Sequence, residues 1–284
     1  MAILLGLGAA LSYGFADFIG GLVSRRATII SVVFSSQVAG LVLLLVALPF
    51  FLDARLTTEA VVWGGGAGVV GAGGISLLYI GLAIGRMGAV APITSVGAAT
   101  IPLLFGLVSG EKPPVLSLVG VAIALGSIVL VSLAPPNDTS PGHGPTTHPR
   151  RGVGLAIAAG ASFGTFFILI QHAGDDTGLW PIVSARAASL ISVGLVGLAL
   201  RRRLIPPRDT AAAVVASGGL DLSANVLYLL AARQGLVSLA AVLTSMYPAV
   251  TVGLARFVLK ERLGGLQIAG LALAALGVGL IAGS

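Results

Sequence analysis

The chain has 284 residues, of which 56% are hydrophobic and only 9% charged, and its mean hydropathy is +1.05. Soluble domains carry about 25% charged residues. This sequence therefore lacks the charge to clothe a water-facing surface, which excludes a soluble enzyme, a nucleic-acid module and a disordered tail. Sixteen Lys and Arg against ten Asp and Glu leave a formal charge of +6. In a multispan membrane protein such an excess collects in cytoplasmic loops, so it argues orientation before partners. With no Cys, the chain can form no disulfide, thiolate metal site or Cys nucleophile, and three His leave little for a metal cluster.

A bilayer-crossing helix needs about 20 mostly apolar residues. Ten such runs follow one another: 2–23, 29–51, 60–85, 88–109, 114–134, 152–172, 180–200, 210–232, 236–258 and 264–283. The first begins directly after Met1 with no positively charged segment ahead of it, and reads as a retained helix rather than a cleaved signal peptide. The longest gap, Pro135 to Arg151, is rich in Pro, Gly, Ser and Thr and reads as a flexible linker. Asn137-Asp138-Thr139 within it is formally a glycosylation acceptor, a pattern too short to carry weight. The sequence predicts an all-α membrane protein with a first five-helix repeat at 1–134, a linker at 135–151 and a second five-helix repeat at 152–284.

The two halves resemble each other. At an offset of 150, Ser12 and Gly14 match Ser162 and Gly164, Thr94-Ser95 matches Thr244-Ser245, Glu111-Lys112 matches Glu261-Arg262, and Gly120 matches Gly270. Around the third and fourth helices the offset slips to 147, where Arg86 and Gly88 match Arg233 and Gly235. An odd number of helices per half turns the second half upside down relative to the first. That is the inverted repeat of many secondary transporters, whose binding site lies near mid-membrane between the halves.

Lys and Arg set the orientation. Twelve fall in the loops on one side: Arg25, Arg26, Arg86, Arg150, Arg151, Arg201, Arg202, Arg203, Arg208, Arg256, Lys260 and Arg262. Three fall on the other side, Arg55, Lys112 and Arg233, and Arg186 lies inside a helix. The linker is therefore expected in the cytoplasm and both termini outside. Trp63 and Trp180 fall at the opposite face from the linker, where indoles suit the interface.

These residues resemble the EamA-like proteins of the drug/metabolite transporter superfamily. The likeness is carried by Leu11-Ser12-Tyr13-Gly14-Phe15, by Pro248 followed thirteen residues later by Glu261 and then Arg262, by Gly270, and by Glu111 and Gly120 in the first half. Ala98 stands where the same spacing would put a proline in that half, the nearest being Pro102. The resemblance implies a ten-helix plasma-membrane (inner-membrane) transporter of small organic solutes, often an exporter, working by alternating access. It implies a central cavity lined by helices 1–4 and 6–9, with no ATP, no metal and no other cofactor. The expected partners are a small-molecule solute, the lipid bilayer and protons as a coupling ion. No nucleic acid is expected, and the protein is expected to be a monomer. Uptake of the same solutes is the nearest alternative. A lipid-processing membrane enzyme would need convergent nucleophile, base or metal ligands, and only the terminal His172 lies in a helix. A structural role is the remaining alternative.

Asp17 lies inside the first helix, one turn after Tyr13 on the same face. A charge at mid-membrane costs roughly 2.5–3.5 kcal/mol on the insertion scale. It reads either as a cavity carboxylate that binds a cation or carries a proton, or as a structural acid near the helix end. Asp221, Asn225 and Tyr228 share a face of the eighth helix and form a polar stripe, either cavity lining or a hydrogen-bonded seam. Arg186 lies roughly 8–9 Å below the non-cytoplasmic surface and Asp221 about 8–10 Å deeper, within stretching reach only if helix rotation allows. Arg186 must pair with an acid, bind an anion or snorkel, and Gln37 stands at its matched position in the first half. Asp17 and Asp221 are the proton-coupling candidates. Pro92, Pro102 and Pro248 remove backbone donors inside helices four and nine and are the expected kinks and gating points. Thr94, Ser95, Thr244, Ser245 and Tyr247 sit beside them, and repair the kinks or touch solute. Ser12, Tyr79, Ser162 and Phe163 complete the solute-contact candidates. Gly66 to Gly71 formally spells a dinucleotide-binding pattern, but inside an apolar run it reads as close helix packing.

Overall fold

The computed structural model describes residues 1–48, 55–84, 87–133, 149–174, 177–234, 237–258 and 264–282, and among them there is no strand. Lipid cannot satisfy backbone N–H and C=O groups, so apolar runs of this length close their hydrogen bonds within helices. The helices are α1 (Ala2–Val23), α2 (Ile29–Ala47), α3 (Thr58–Ile84), α4 (Met87–Val108), α5 (Val115–Leu133), α6 (Pro149–Gln171), α7 (Trp180–Ala199), α8 (Ala211–Arg233), α9 (Val237–Thr244), α10 (Tyr247–Val258) and α11 (Gly265–Ala282). Among the described residues, seven stretches are long and apolar enough to cross a membrane, six of them formed by α1, α2, α3, α6, α7 and α8, and the seventh running through Leu239–Val258. Ile93–Val108 and Val115–Ser127 are shorter apolar helices. Residues such as Leu11, Val42, Leu43, Ile191 and Leu195 point outward from mid-helix and are exposed. A water-facing surface rarely carries so much contiguous apolar area, so this belt faces lipid.

The expected single helix at 236–258 is two helices. Ser245 N–H still bonds Ala241 O at 2.9 Å, but Met246 N–H turns to Leu243 O at 3.1 Å and Ala249 N–H to Met246 O at 3.0 Å. Pro248, which has no N–H to give to Thr244 O, sits at the break and favours it. Its first-half counterpart differs: α4 runs as one helix past Pro92 and Pro102.

Packing partners exchange when the halves are exchanged. Helix α1 lies on α8 as α3 lies on α6, α2 on α8 as α7 on α3, and α4 on α6 as α9 and α10 lie on α1. Matched glycines make the approaches close. A Cβ on Gly14 would sit 2.4 Å from Val250 Cβ, and one on Gly164 2.7 Å from Ile101 Cβ. A Cβ on Gly68 would sit 2.0 Å from Ala185 O, and one on Gly218 2.3 Å from Ser36 O. Small residues at such crossings let membrane helices gain dispersion contacts where lipid gives them no hydrophobic drive.

One end of the bundle is tied by polar contacts. Arg233, at the end of α8, donates to Gly178 O and Gly174 O at 2.9 Å and to Thr177 Oγ1 at 3.0 Å. Gly174 and Gly178 have φ of 86° and 52°, a left-handed turn that glycine adopts without strain. Glu111 Oε1 accepts from Val237 N–H at 3.2 Å, bonding the α4–α5 turn to the start of α9. Its repeat partner Glu261, Arg86 and linker residues 135–148 lie outside the described residues, and the last three residues of the expected linker, 149–151, already belong to α6.

Candidate functional site

The site is a cavity between the two halves, of about 700 Å³ when the space at its mouth is included. Its polar floor is a chain of side chains from α2, α7 and α8. Arg186 donates through Nη1 to Gln37 Oε1 and through Nη2 to Asp221 Oδ2, the latter at 2.5 Å. Gln37 Nε2 in turn donates to Ser189 Oγ at 2.8 Å. Asn225 Nδ2 donates to Asp221 O at 2.7 Å and reaches Asp221 Oδ2 at 3.4 Å. The Arg186 and Asp221 side chains are only 5% and 15% exposed. Gly40 makes room for the guanidinium, since a Cβ there would lie 3.3 Å from Arg186 Cζ. A buried cation is tolerable only with an excellent partner and its remaining donors satisfied, and these helices supply both.

Asp17 lines the same cavity and is 6% exposed. Among the described residues its carboxylate has neither a hydrogen bond nor an ion pair. Beside it, Ser217 Oγ donates to Ala16 O at 3.0 Å and lies 3.3 Å from Tyr79 OH. The Tyr79 ring occupies the space left by Gly20, where a Cβ would come within 2.1 Å of the phenol oxygen. These contacts hold α1, α3 and α8 together around the acid.

Aromatic rings form the rest of the wall. Tyr13 of α1 sits between Phe167 of α6 and Tyr247 of α10, with ring centroids 6.4 and 6.3 Å away. Phe163 and Phe166 line the cavity from α6. Phe167 stacks at 4.3 Å on Tyr228, whose hydroxyl donates to Phe167 O at 3.2 Å.

Of the residues expected at the site, Tyr13, Asp17, Phe163, Arg186, Asp221, Asn225 and Tyr247 line the cavity. The others are not among its lining residues. Tyr79 and Tyr228 are helix-to-helix braces, so the polar stripe of α8 reaches the cavity only at Asp221 and Asn225. Thr94 Oγ1 donates to Ala156 O at 3.2 Å and Ser162 Oγ to Ala158 O at 3.0 Å. Ser12 is half-buried and Ser95 fully buried. Thr244 and Ser245, at the α9–α10 break, are buried with hydroxyl oxygens that have no partner among the described residues. Pro248 is buried beside that break. The sequence reading missed Gln37, Ser189, Phe166 and Phe167 as lining residues. Gln37 had a signal, its repeat match to Arg186, and Ser189 lies one turn beyond Arg186 on the same helix. Phe167 had the same kind of signal, its match to Asp17 at the offset of 150; Phe166 had none, because a Phe facing lipid and a Phe facing a cavity read alike.

Lipid-facing helices around a buried, charged chamber define an integral membrane protein. A family model, the EamA-like transporter family, matches residues 1–133 and again 150–283. The chain belongs to that family of transporters. No curated protein matches it. A solved structure described as "Crystal structure of protein" superposes with a TM-score of 0.71 at 18% identity, over 98% of this chain and 95% of the other. At that identity the likeness speaks for the fold alone.

Proposed function

We propose that the protein is a monomeric secondary transporter that moves small organic metabolites or drugs out of the cell across the plasma membrane by alternating access. On this reading ten helices span the bilayer as two inverted five-helix repeats, with the linker in the cytoplasm and both termini outside. The observation that carries the proposal is the chamber itself. It lies between the halves, is walled by aromatic rings, and holds an acid, Asp17, that has no partner among the described residues. An ionisable group inside a membrane domain is costly, and as a rule marks a substrate or ion path. The exchange of packing partners between halves supports the inverted repeat, whose two arrangements would open the chamber to alternate sides. Protons are the coupling ion in this proposal. Asp17 is the acid that would carry them, since Asp221 is held by Arg186.

The test is counterflow in proteoliposomes preloaded with unlabelled amino acids, nucleosides or organic amines. The labelled form of one class should accumulate transiently above the level in protein-free liposomes, and net flux should run outward when the cytoplasmic face is loaded. No counterflow of any class, from protein shown to be folded, would overturn the proposal.

A further inference from the structure

Resting on the transporter reading, we propose that the chamber takes monovalent organic cations with an apolar body, quaternary or protonated amines, and rejects organic anions. The charge balance points there first. Three formally charged side chains line the chamber, Asp17, Asp221 and Arg186. Asp221 and Arg186 neutralise each other at 2.5 Å, which leaves one negative charge, that of Asp17. The one cation present is a poor anion receptor. Both terminal nitrogens of Arg186 are engaged, by Gln37 and by Asp221, and its side chain is 5% exposed. An incoming carboxylate or phosphate would have to displace Asp221 from a buried pair, which strands a buried charge. It would also enter a space already negative.

The wall completes the argument. Tyr13 lies one helical turn from Asp17, and Phe167 and Tyr247 flank it at 6.4 and 6.3 Å. Phe163 adds a further ring. Aromatic faces carry negative charge density and attract cations within about 6 Å of the ring centre, more strongly when water is excluded. The remaining polar groups are largely turned on one another: Gln37 toward Ser189 and Arg186, and Asn225 toward Asp221. A sugar or nucleoside would leave many of its own donors unmet here, whereas a quaternary ammonium has none to satisfy. One carboxylate beside a cluster of rings matches one positive charge on a greasy frame.

The test uses purified full-length protein and labelled benzyltrimethylammonium in equilibrium dialysis. The competitors are its neutral carbon isostere neopentylbenzene and the anion benzylsulfonate. The expected result is saturable binding that excess unlabelled cation displaces and that neither competitor displaces at about 100-fold higher concentration. Asp17→Asn should weaken binding by about tenfold or more, as loss of a close opposite charge in a water-poor space does. Asp17→Glu should stay within about threefold, and Phe163→Leu should weaken binding by about threefold or more. Absence of saturable binding, displacement by the anion as effective as by the cation, or wild-type affinity in folded Asp17→Asn overturns the inference. The competitor comparison decides the matter on the wild-type chain if a variant fails to fold. Counterflow separates the two proposals. Transport of another solute class without cation binding overturns the substrate class alone. Asp17-dependent cation binding without counterflow of any solute overturns the transporter reading alone.

Discussion

Asp221→Asn removes the charge that faces Arg186 while keeping size and shape. Breaking one side of a buried ion pair costs about 3–5 kcal/mol, because the surviving charge is stranded. Here the guanidinium keeps Gln37 as an acceptor, and the new amide oxygen can still accept from Nη2. A hydrogen bond to a charged group retains about 1.5–3 kcal/mol of favourable interaction, so the net loss should be about 1.5–2 kcal/mol. That is a fall of about 10- to 30-fold in the folded-to-unfolded ratio, or about 3–8 °C in melting temperature on the scale of globular chains. The informative measurement is the double variant Asp221→Asn with Arg186→Gln. Removing both charges leaves no stranded cation, and Gln is what the first half carries at the matched position, Gln37. The double variant should recover most of the lost melting temperature, and the cycle should give a coupling energy above about 1 kcal/mol. Melting in detergent followed by size-exclusion recovery reads both. If the double variant is no more stable than Asp221→Asn alone, the pair does not neutralise the chamber in the way described.

Glycine packing gives a matched set of controls. Gly68→Ala and Gly218→Ala would each drive a methyl to within 2.0 and 2.3 Å of a backbone carbonyl oxygen, and should cost about 1–3 kcal/mol and folded yield. Gly65→Ala and Gly73→Ala meet nothing within 4 Å and should leave the melting temperature unchanged or raised. At the α9–α10 break, Pro248→Ala restores an N–H for Thr244 O and should straighten the segment. The expected phenotype is a folded protein with slow counterflow and altered thiol labelling of Thr244→Cys and Ser245→Cys in this Cys-free chain; unchanged flux and labelling would count against a mechanical role. A topology reporter near Gly142 should read cytoplasmic and one at Ser284 external, and the reverse pattern would show that loop charge does not set the orientation.

The helices were legible because length and apolarity alone define them: among the described residues, nine of the ten runs fall on single helices. The tenth run was half legible. Pro248 announced a break, but Pro92 and Pro102 announce breaks just as clearly in α4, which stays whole. A proline removes a donor, and tertiary packing decides whether the helix parts there. Asp17 and Tyr13 were legible because a polar residue inside an apolar run has few other reasons to exist. The Arg186–Asp221 contact was legible only as one option among three, because rise per residue puts the two at different depths and leaves helix rotation open. Gly40 was equally silent, since its purpose is the space it leaves for Arg186. The braces at Tyr79 and Tyr228 look like site residues in sequence for the reason that makes them braces: a buried phenol must find a partner.

The central claim is that solute occupies the chamber between the halves on its way across the membrane. Ser189 lines that chamber, is 2% exposed and is close in size to Cys, so Ser189→Cys places one thiol there in a chain that has no other. Proteoliposomes of this variant should show counterflow that a small thiol-reactive reagent abolishes. Saturating transported solute should slow the modification several-fold, by occupying the space the reagent needs. Modification that proceeds equally fast with solute present and leaves counterflow intact would contradict the account.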